Sequence, residues 1–414
     1  MQHENIENKL ETKLIRSNFT SSSLDNHYLP TYLIVILAIC CGLSVANVYY
    51  AQPLLDALAD HFAISHAIVG GVMTAVQIGC ALALLLVVPL GDMVRRKSLI
   101  LIQIIFLFVV LIWVALSKST IALMLGMLGV GLFGTAMTQG LIAYAATLAN
   151  SKERGRVVGI VQSGVVIGLL MARSLAGFIT DLSDWRFVYL FSAVLSVFIF
   201  IVLWCYLPET KKIIHPPYFV QLIQSMFSLL MKERVLQIRG MIGLLMFAAF
   251  SIFWTALVLP LSEPPFEMSH TEIGAFGLIG IVGALAAANV GGLNDRGFGQ
   301  NATFVALILL LFSWIPLAFL NYSIWFLIVG IILLDMGGQA IHVINQAMIL
   351  NIDLDSSSRI IGCYMLFYSL GSGAGAIAST TIYAYSGWMG VCILGFIVSL
   401  SAFVFWLVSL RYLH

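Results

Sequence analysis

"PLGDMVRRKSLI", residues 89–100, and "GGLNDRGFGQ", residues 291–300, are two charged stretches that interrupt long apolar runs. Asp295 stands 203 residues after Asp92. The same offset gives five more identities: Gly134 with Gly337, Arg156 with Arg359, Gly159 with Gly362, Gly168 with Gly371, and Trp185 with Trp388. Self-similarity at one fixed offset is the signature of a repeated architecture. The sequence therefore predicts two copies of one structural unit.

Composition places both copies in a membrane. Apolar residues make up 61% of the 414 residues and charged residues only 9%, with a mean hydropathy of +1.02. A soluble domain carries about 25% charged residues. The net charge of +1 offers no basic surface for nucleic acid, and the six cysteines are scattered without metal-ligand spacing. We expect an integral membrane protein with no metal, cofactor or nucleic-acid partner.

Twelve apolar segments are long enough for the roughly 20 residues that a bilayer requires. They are predicted at 31–57, 66–90, 97–116, 119–148, 157–180, 186–207, 241–262, 271–293, 300–320, 323–350, 358–385 and 388–411. No ten-residue alternating strands indicate a barrel. The offset carries the first six segments onto the last six. Because six is even, the two six-helix repeats are parallel, and the predicted fold is all-α with 12 transmembrane helices.

The chain divides into four predicted parts. A disordered cytoplasmic tail, 1–30, precedes an N-terminal six-helix bundle, 31–207; a cytoplasmic linker with an amphipathic helix, 208–240, leads to a C-terminal six-helix bundle, 241–414. Most of the 20 Lys and Arg residues fall on the side of the two termini. Lys118 and Arg186 lie on the other side, and Arg173 falls within a segment. This asymmetry predicts that both termini are cytoplasmic.

The loop between helices 2 and 3 resembles the signature G-x-x-x-D-R-x-G-R-K of the major facilitator superfamily of secondary transporters. Asp92, Arg96 and Lys97 match it, whereas Val88, Met93 and Arg95 depart from it. The second copy keeps Gly291, Asp295 and Arg296. The resemblance covers nearly the whole chain. It implies a cytoplasmic latch made by Asp92, Arg96, Lys97, Asp295 and Arg296, with Asp92 against the positive N-terminal end of helix 11.

Helix 5, "GIVQSGVVIGLLMARSLAG", is similar to the glycine-rich signature of the antiporter branch. Gly164, Gly168 and Gly177 match, while Ala172-Arg173 replaces the usual Gly-Pro. Together with the segments "NVYYAQPLL" and "LLDMGGQAIHVINQ", this sequence most resembles bacterial efflux permeases for sugars and drugs. This resemblance implies a monomeric 12-helix proton antiporter of the bacterial inner membrane, whose partners are protons, a small-molecule substrate and the lipid bilayer.

In this superfamily helices 1, 4, 7 and 10 line a central cavity, and these helices hold the unusual polar residues. The expected substrate-binding residues are Asn47, Tyr50, Gln52, Gln139, Tyr144, Trp254, Gln339, Asn345 and Gln346. Amides and aromatic rings with little net charge favour neutral or weakly charged amphipathic molecules, drug-like or sugar-like. Each amide taken singly is also typical of an interhelical hydrogen bond.

Asp335 is the one carboxylate near the middle of a predicted helix, about 18 Å from its outer end. An ionisable residue at this depth is a functional candidate, because burying a charge in a bilayer is costly. We expect Asp335 to carry the coupled proton, with Arg173 and His342 as proton-coupling residues. The anionic partner of Arg173 could be Asp335 or Asp181. Arg173 could also extend to the outer headgroups, or form a fixed ion pair with Asp335.

Other classes of protein fit less well. The chain has no G-x-x-x-x-G-K-[ST] phosphate loop for a primary pump, and neither H-E-x-x-H nor G-x-S-x-G for an intramembrane enzyme. We therefore expect no enzymatic activity. Uptake by proton symport or facilitated diffusion, and a sensor or receptor with a transporter fold, remain as alternatives to export.

Asp92→Asn tests the latch. The variant is expected to insert normally and to slow substrate exchange by roughly tenfold, since it loses a charge–dipole contact of about 1–2 kcal/mol. Exchange across vesicles at matched protein levels measures this, with Asp60→Asn as the control. Exchange at the wild-type rate would contradict the latch.

Overall fold

The structure is a computed structural model that describes residues 28–150, 153–208, 218–288, 297–350 and 357–412. Most of the predicted N-terminal tail lies outside these residues, as do Asp295 and Arg296. Within them the chain is a bundle of twelve apolar helices, numbered 1 to 12 here, and the prediction of an all-α membrane protein is confirmed.

The N-terminal half holds six helices: helix 1, Thr31–Phe62; helix 2, His66–Asp92; helix 3, Arg96–Ala115; helix 4, Thr120–Leu148; helix 5, Arg154–Leu182; and helix 6, Trp185–Tyr206. Helix 1 is α-helical over Thr31–Tyr49 and continues through the short elements Gln52–Leu54 and Leu55–Phe62. Helix 2 ends in a wider π segment, Ala83–Val87, followed by a narrower 3-10 segment, Val88–Asp92.

The C-terminal half repeats the pattern. Its helices are helix 7, Arg234–Ser262; helix 8, His270–Ala288; helix 9, Gly299–Ala318; helix 10, Ile324–Leu350; and helices 11 and 12, which share the run Ser357–Ser409 and divide at Gly387. Gly387 has φ 60° and ψ −161°, a conformation that glycine adopts without steric cost.

The linker region contains an amphipathic helix at Phe219–Lys232, within the range where the sequence predicts one. The start of the next helix differs from the sequence reading. Helix 7 begins at Arg234, seven residues before the predicted start at 241. Arg239 therefore lies inside helix 7 and is completely buried, although the sequence reading counted it with the cations of the linker. The sequence reading left this stretch out of helix 7 because Arg234, Gln237 and Arg239 lower its apolar content.

The two halves make the same internal contact, as the repeat predicts. In the N-terminal half a Cβ on Gly168 would lie 2.1 Å from the carbonyl oxygen of Gly42 on helix 1. In the C-terminal half a Cβ on Gly371, its equivalent, would lie 2.1 Å from the carbonyl oxygen of Leu244 on helix 7. Small residues let membrane helices approach backbone to backbone. Helices 5 and 11 are thus locked against helices 1 and 7.

The halves meet where helix 5 packs along helix 8 and helix 2 along helix 11. We call the bundle face where helix 1 begins and helix 12 ends the termini face, and the other the opposite face. At the opposite face, hydrogen bonds cross between helices 2 and 11. Thr381 Oγ1 donates to the carbonyl of Ala67 at 2.9 Å, and the N–H of Gly70 donates to Thr380 Oγ1 at 3.2 Å. This face is therefore closed.

Gly168→Ala is expected to destabilise the bundle by about 1–3 kcal/mol, because the new methyl would overlap the Gly42 carbonyl. Gly159→Ala, on the same helix but with open space around it, is the matched control. That control should be neutral or slightly stabilising, since alanine is the better helix former. Thermal denaturation in detergent measures both. Equal melting temperatures would contradict this packing.

Candidate functional site

Arg173 and Asp335 lie at the interface between the halves, buried inside the membrane-spanning bundle. Arg173 projects from helix 5 and is 3% exposed, and Asp335 projects from helix 10 and is 2% exposed. Each acts on the other electrostatically. Of the two anionic partners considered for Arg173, Asp335 is therefore the one that the structure places beside it.

Arg173 is held by groups other than this carboxylate. Its Nε donates to Gln52 Oε1 at 3.0 Å. Its guanidinium carbon lies 3.9 Å from the centre of the Trp254 ring and 5.8 Å from that of Tyr49. A cation over an aromatic face is stabilised by about 0.5–2 kcal/mol. Helices 1 and 7 thus position the guanidinium by stacking and by one hydrogen bond.

Several polar atoms in this region have no hydrogen bond to any residue that the structure describes. They are Arg173 Nη1 and Nη2, Asp335 Oδ1 and Trp254 Nε1, and all are buried. Leaving a buried donor or acceptor unsatisfied costs about 1–3 kcal/mol, and more for a charged group. The arrangement is therefore suited to take up a proton or a polar ligand group that satisfies these atoms. We call Gln52, Arg173, Trp254 and Asp335 the central cluster.

Helix 8 passes between Arg173 and Asp335 with a glycine at every third position. A Cβ on Gly274 would lie 2.4 Å from the carbonyl oxygen of Arg173. A Cβ on Gly280 would lie 2.5 Å from Asp335 Oδ2, and one on Gly283 would lie 2.6 Å from Asp335 Cβ. The sequence reading missed these glycines, although "GAFGLIGIVG", residues 274–283, displays the three-residue spacing.

A second polar group lies about two turns along helix 10, nearer the termini face. His342 Nδ1 is 3.2 Å from the hydroxyl oxygen of Tyr364, and His342 Nε2 is 3.3 Å from Gln346 Nε2. Asn345 Nδ2 donates to the carbonyl oxygen of Arg239 at 3.3 Å. His342 is thus separated from Asp335, with which the sequence reading grouped it. Tyr364 and Arg239 were not among the predicted site residues.

Other predicted residues have different surroundings. Asn47 accepts a hydrogen bond from Ser192 Oγ at 2.6 Å and so joins helix 1 to helix 6. The Tyr144 hydroxyl donates to the carbonyl of Pro208, near the termini face. Tyr50 is buried with its hydroxyl unpaired, and Gln139 and Gln339 are half-buried. Among the predicted substrate-binding residues, Gln52 and Trp254 belong to the central cluster.

The predicted latch residues that the structure describes bind within their own half. Arg96 Nη2 donates to Asp92 Oδ1 at 2.7 Å, and Lys97 Nζ donates to the carbonyl oxygen of Leu207 at 2.6 Å. The sequence reading placed Asp92 against helix 11 of the other half. In this conformation the Asp92 carboxylate pairs with the cation one turn along, and hydrogen bonds between the halves are seen at the opposite face.

Gly280→Ala is expected to displace the Asp335 carboxylate, because the new methyl would lie 2.5 Å from Oδ2. Gly277→Ala, whose methyl would lie 3.2 Å from Arg173 Cδ and 3.3 Å from the carbonyl oxygen of Leu170, is the milder control. Trp254 reports the change through its fluorescence, isolated by subtracting the signal of Trp254→Phe. The pH dependence of this signal should shift in Gly280→Ala and stay nearly unchanged in Gly277→Ala. The reverse order would contradict the assigned contact.

Comparisons with known proteins agree with the fold. The model of the Major Facilitator Superfamily matches residues 35–350 and 240–412. The uncharacterized transporter YgaY of Escherichia coli O157:H7 is 40% identical over 381 residues, covering 92% of this chain and 96% of the relative. A probable sugar efflux transporter of Helicobacter pylori (strain J99) is 22% identical, covering 86% of this chain and 88% of that protein.

Among solved structures, a bacterial homolog of the human lysosomal transporter Spinster, in an inward-facing and occupied conformation, superposes with a TM-score of 0.72. It is 14% identical, and the match covers 92% of this chain and 97% of that one. At this identity the likeness concerns the fold alone. With twelve helices in two repeats, a family model that matches most of the chain and a relative 40% identical over nearly its whole length, the protein belongs to the major facilitator superfamily and is a membrane transporter, not an enzyme.

Proposed function

We propose that this transporter exports small amphipathic molecules, drug-like or sugar-like, in exchange for protons, with Asp335 as the proton carrier. The observation that carries the proposal is the unpaired Asp335 Oδ1, buried beside Arg173. A carboxyl with a free oxygen can gain or lose a proton without breaking a hydrogen bond. A fixed structural ion pair would instead use its oxygens on the guanidinium.

The proposed exchange cycle uses one orientation of the bundle in the membrane. Placing the termini face in the cytoplasm, as the distribution of Lys and Arg favours, makes the opposite face external. Asp335 then takes a proton from outside when the opposite face is open and releases it to the cytoplasm after the bundle switches. Substrate moves outward in the other half of the cycle. The protein would function as a monomer in the inner membrane of a bacterium.

Substrate would bind where the two halves meet. The central cluster offers an aromatic ring, an amide and the unpaired donors of Arg173. His342, Gln346 and Tyr364 extend this polar lining toward the termini face. Aromatic faces with a few oriented polar groups suit amphipathic molecules. The name of the Helicobacter pylori relative supports sugars as one class to test.

Asp335→Asn is expected to abolish substrate-driven proton movement while retaining substrate binding. Proteoliposomes with an imposed pH gradient and a pH-sensitive dye report proton flux when each candidate sugar or drug is added, and thermal shift reports binding. Asp60→Asn, an exposed carboxylate on helix 1, is the control and should behave as wild type. If Asp335→Asn still moves protons on substrate addition, Asp335 is not the carrier.

Arg173→Leu removes the charge beside the proton carrier and should shift the pH profile of transport toward higher pH by about one unit or more, because a cation nearby favours the ionised carboxylate. Arg173→Lys keeps the positive charge but loses the planar guanidinium and its stacking on Trp254. It should therefore shift the pH profile less. Initial rates between pH 5 and pH 9 measure both variants. An unchanged profile in Arg173→Leu would mean that Arg173 does not influence the ionisation of Asp335.

A further inference from the structure

His270 forms a cluster of titratable groups that the proposed function does not use. It stands at the start of helix 8, in the C-terminal half, between two carboxylates of the N-terminal half. Its Nε2 lies 3.1 Å from Asp56 Oδ1, at the end of helix 1, and its Nδ1 lies 3.1 Å from Asp181 Oδ1, at the end of helix 5. The cluster therefore joins the two halves at the opposite face.

Proton counting decides the state of this cluster. A neutral imidazole carries one N–H, so it can donate to only one of two carboxylates. The other contact would bring a nitrogen lone pair within 3.1 Å of a carboxylate oxygen. A proton bound by the cluster removes this repulsion, because the imidazolium donates from both nitrogens. The geometry thus corresponds to a cluster that holds one proton more than a neutral histidine and two carboxylates.

The proton belongs on the ring and not on Asp181. Both oxygens of Asp181 already accept backbone hydrogen bonds from the start of helix 8: Oδ1 from the N–H of His270 at 3.1 Å, and Oδ2 from that of Thr271 at 2.7 Å. A hydroxyl hydrogen on either oxygen would compete with these donors. Asp181 is therefore an acceptor at every contact, and the ring nitrogen that faces it must be the donor.

The contacts exist only while the opposite face is closed. Here helices 5 and 8 touch through their backbones: a Cβ on Gly177 would lie 2.0 Å from the carbonyl oxygen of His270. Opening this face separates the halves and removes both carboxylates from the ring. The isolated ring then binds its proton less tightly, since an opposite charge within hydrogen-bond distance favours the charged form.

We propose that the His270–Asp56–Asp181 cluster is a second proton-binding site, whose proton holds the opposite face closed. The sign follows from linkage: the closed state binds the proton more tightly, so closure is favoured at low pH and lost as pH rises. One linked proton changes the closed-to-open ratio by up to about tenfold per pH unit. The proposal does not require Asp335 to be the proton carrier.

Several other charged groups at this end have partners of their own. On helix 8 itself, Glu272 accepts from the N–H of Ser269 at 2.9 Å. His66 Nδ1 lies 4.0 Å from Glu263 Oε1, and His61 Nε2 lies 2.8 Å from Arg186 Nη2. His66 also joins the two halves but has a single, longer carboxylate contact. His61 and Arg186 both belong to the N-terminal half, so His61 provides a matched control.

Distance measurement between the halves tests the proposal without a substrate. Spin labels on cysteines that replace Ile121 and Tyr385 would report opening, because these side chains are 74% and 80% exposed on helix 4 and at the end of helix 11. Cys205 is the exposed native cysteine among the described residues and is replaced by serine. Double electron–electron resonance is recorded in nanodiscs between pH 5 and pH 8.5.

The short-distance population should grow as pH falls in the parent protein and in His61→Gln. In His270→Gln it should be smaller and lose most of its pH dependence, because glutamine cannot take up the proton. Asp56→Asn, which removes one acceptor, should weaken the dependence and serves if His270→Gln misfolds. A parallel series in the Asp335→Asn background separates the two sites, and the His270-dependent part should persist there. An unchanged pH profile in His270→Gln or in Asp56→Asn would overturn the proposal.

Discussion

The contact on which the transporter depends is the crossing of helix 8 over helices 5 and 10, because the buried charges of Arg173 and Asp335 lie along it. Gly274 faces the backbone of Arg173, and Gly280 and Gly283 face Asp335. At each position a side chain would overlap backbone or carboxylate atoms. Glycine lets three helices come close enough for two charges on different halves to act on each other through a low-dielectric interior.

This close packing has an energetic consequence for the charges. A membrane interior offers no water to satisfy Arg173 Nη1 and Nη2 or Asp335 Oδ1, so the state described here stores a cost in unsatisfied groups. The Trp254 ring and the Gln52 amide offset part of this cost for the guanidinium. Trp254 and Arg173 also act on the Asp335 carboxylate, but its Oδ1 has no hydrogen bond to any described residue. The carboxylate is thus the member of the cluster that gains most from a proton.

The sequence predicted the fold well because each of the features that indicate this fold is summed over many residues. Twelve apolar segments, charged loops and a fixed repeat offset each depend on many residues, and errors at single positions do not change the result. The depth of Asp335 and Arg173 also followed from counting along helices. The partners of these residues did not, since hydrogen bonds depend on how helices rotate and cross. Asn47 and Tyr144 are polar residues of the predicted cavity helices, as Gln52 and Trp254 are, yet they bind Ser192 and Pro208 and lie outside the central cluster.

Signals for the missed residues were present but ambiguous. The glycines of helix 8 have a three-residue spacing, which in isolation is equally typical of ordinary helix packing. Arg239 looked like a topogenic cation because it follows Lys232 and Arg234 in a charged linker. His270 stands at a predicted helix start, where a histidine is unremarkable by sequence. Its role depends on two carboxylates more than 80 residues away in the chain, which only the tertiary fold brings to it.

Helix 8 gives a mechanical reason for coupling events at the opposite face to events at the central cluster. Asp181 holds the first turn of this helix through both of its oxygens, and Gly280 meets Asp335 ten residues later, about 15 Å along the axis. A helix of this length moves as a rigid element, so its first turn cannot leave Asp181 without its glycines sliding past Arg173, while Asp335 stays with its own half. The glycines of helix 8 have no side chains that could interlock with a neighbouring helix, so this sliding motion meets little steric resistance. Opening the interface therefore changes the surroundings of Asp335 in the same motion, which is the physical requirement for linking proton release to a change of access.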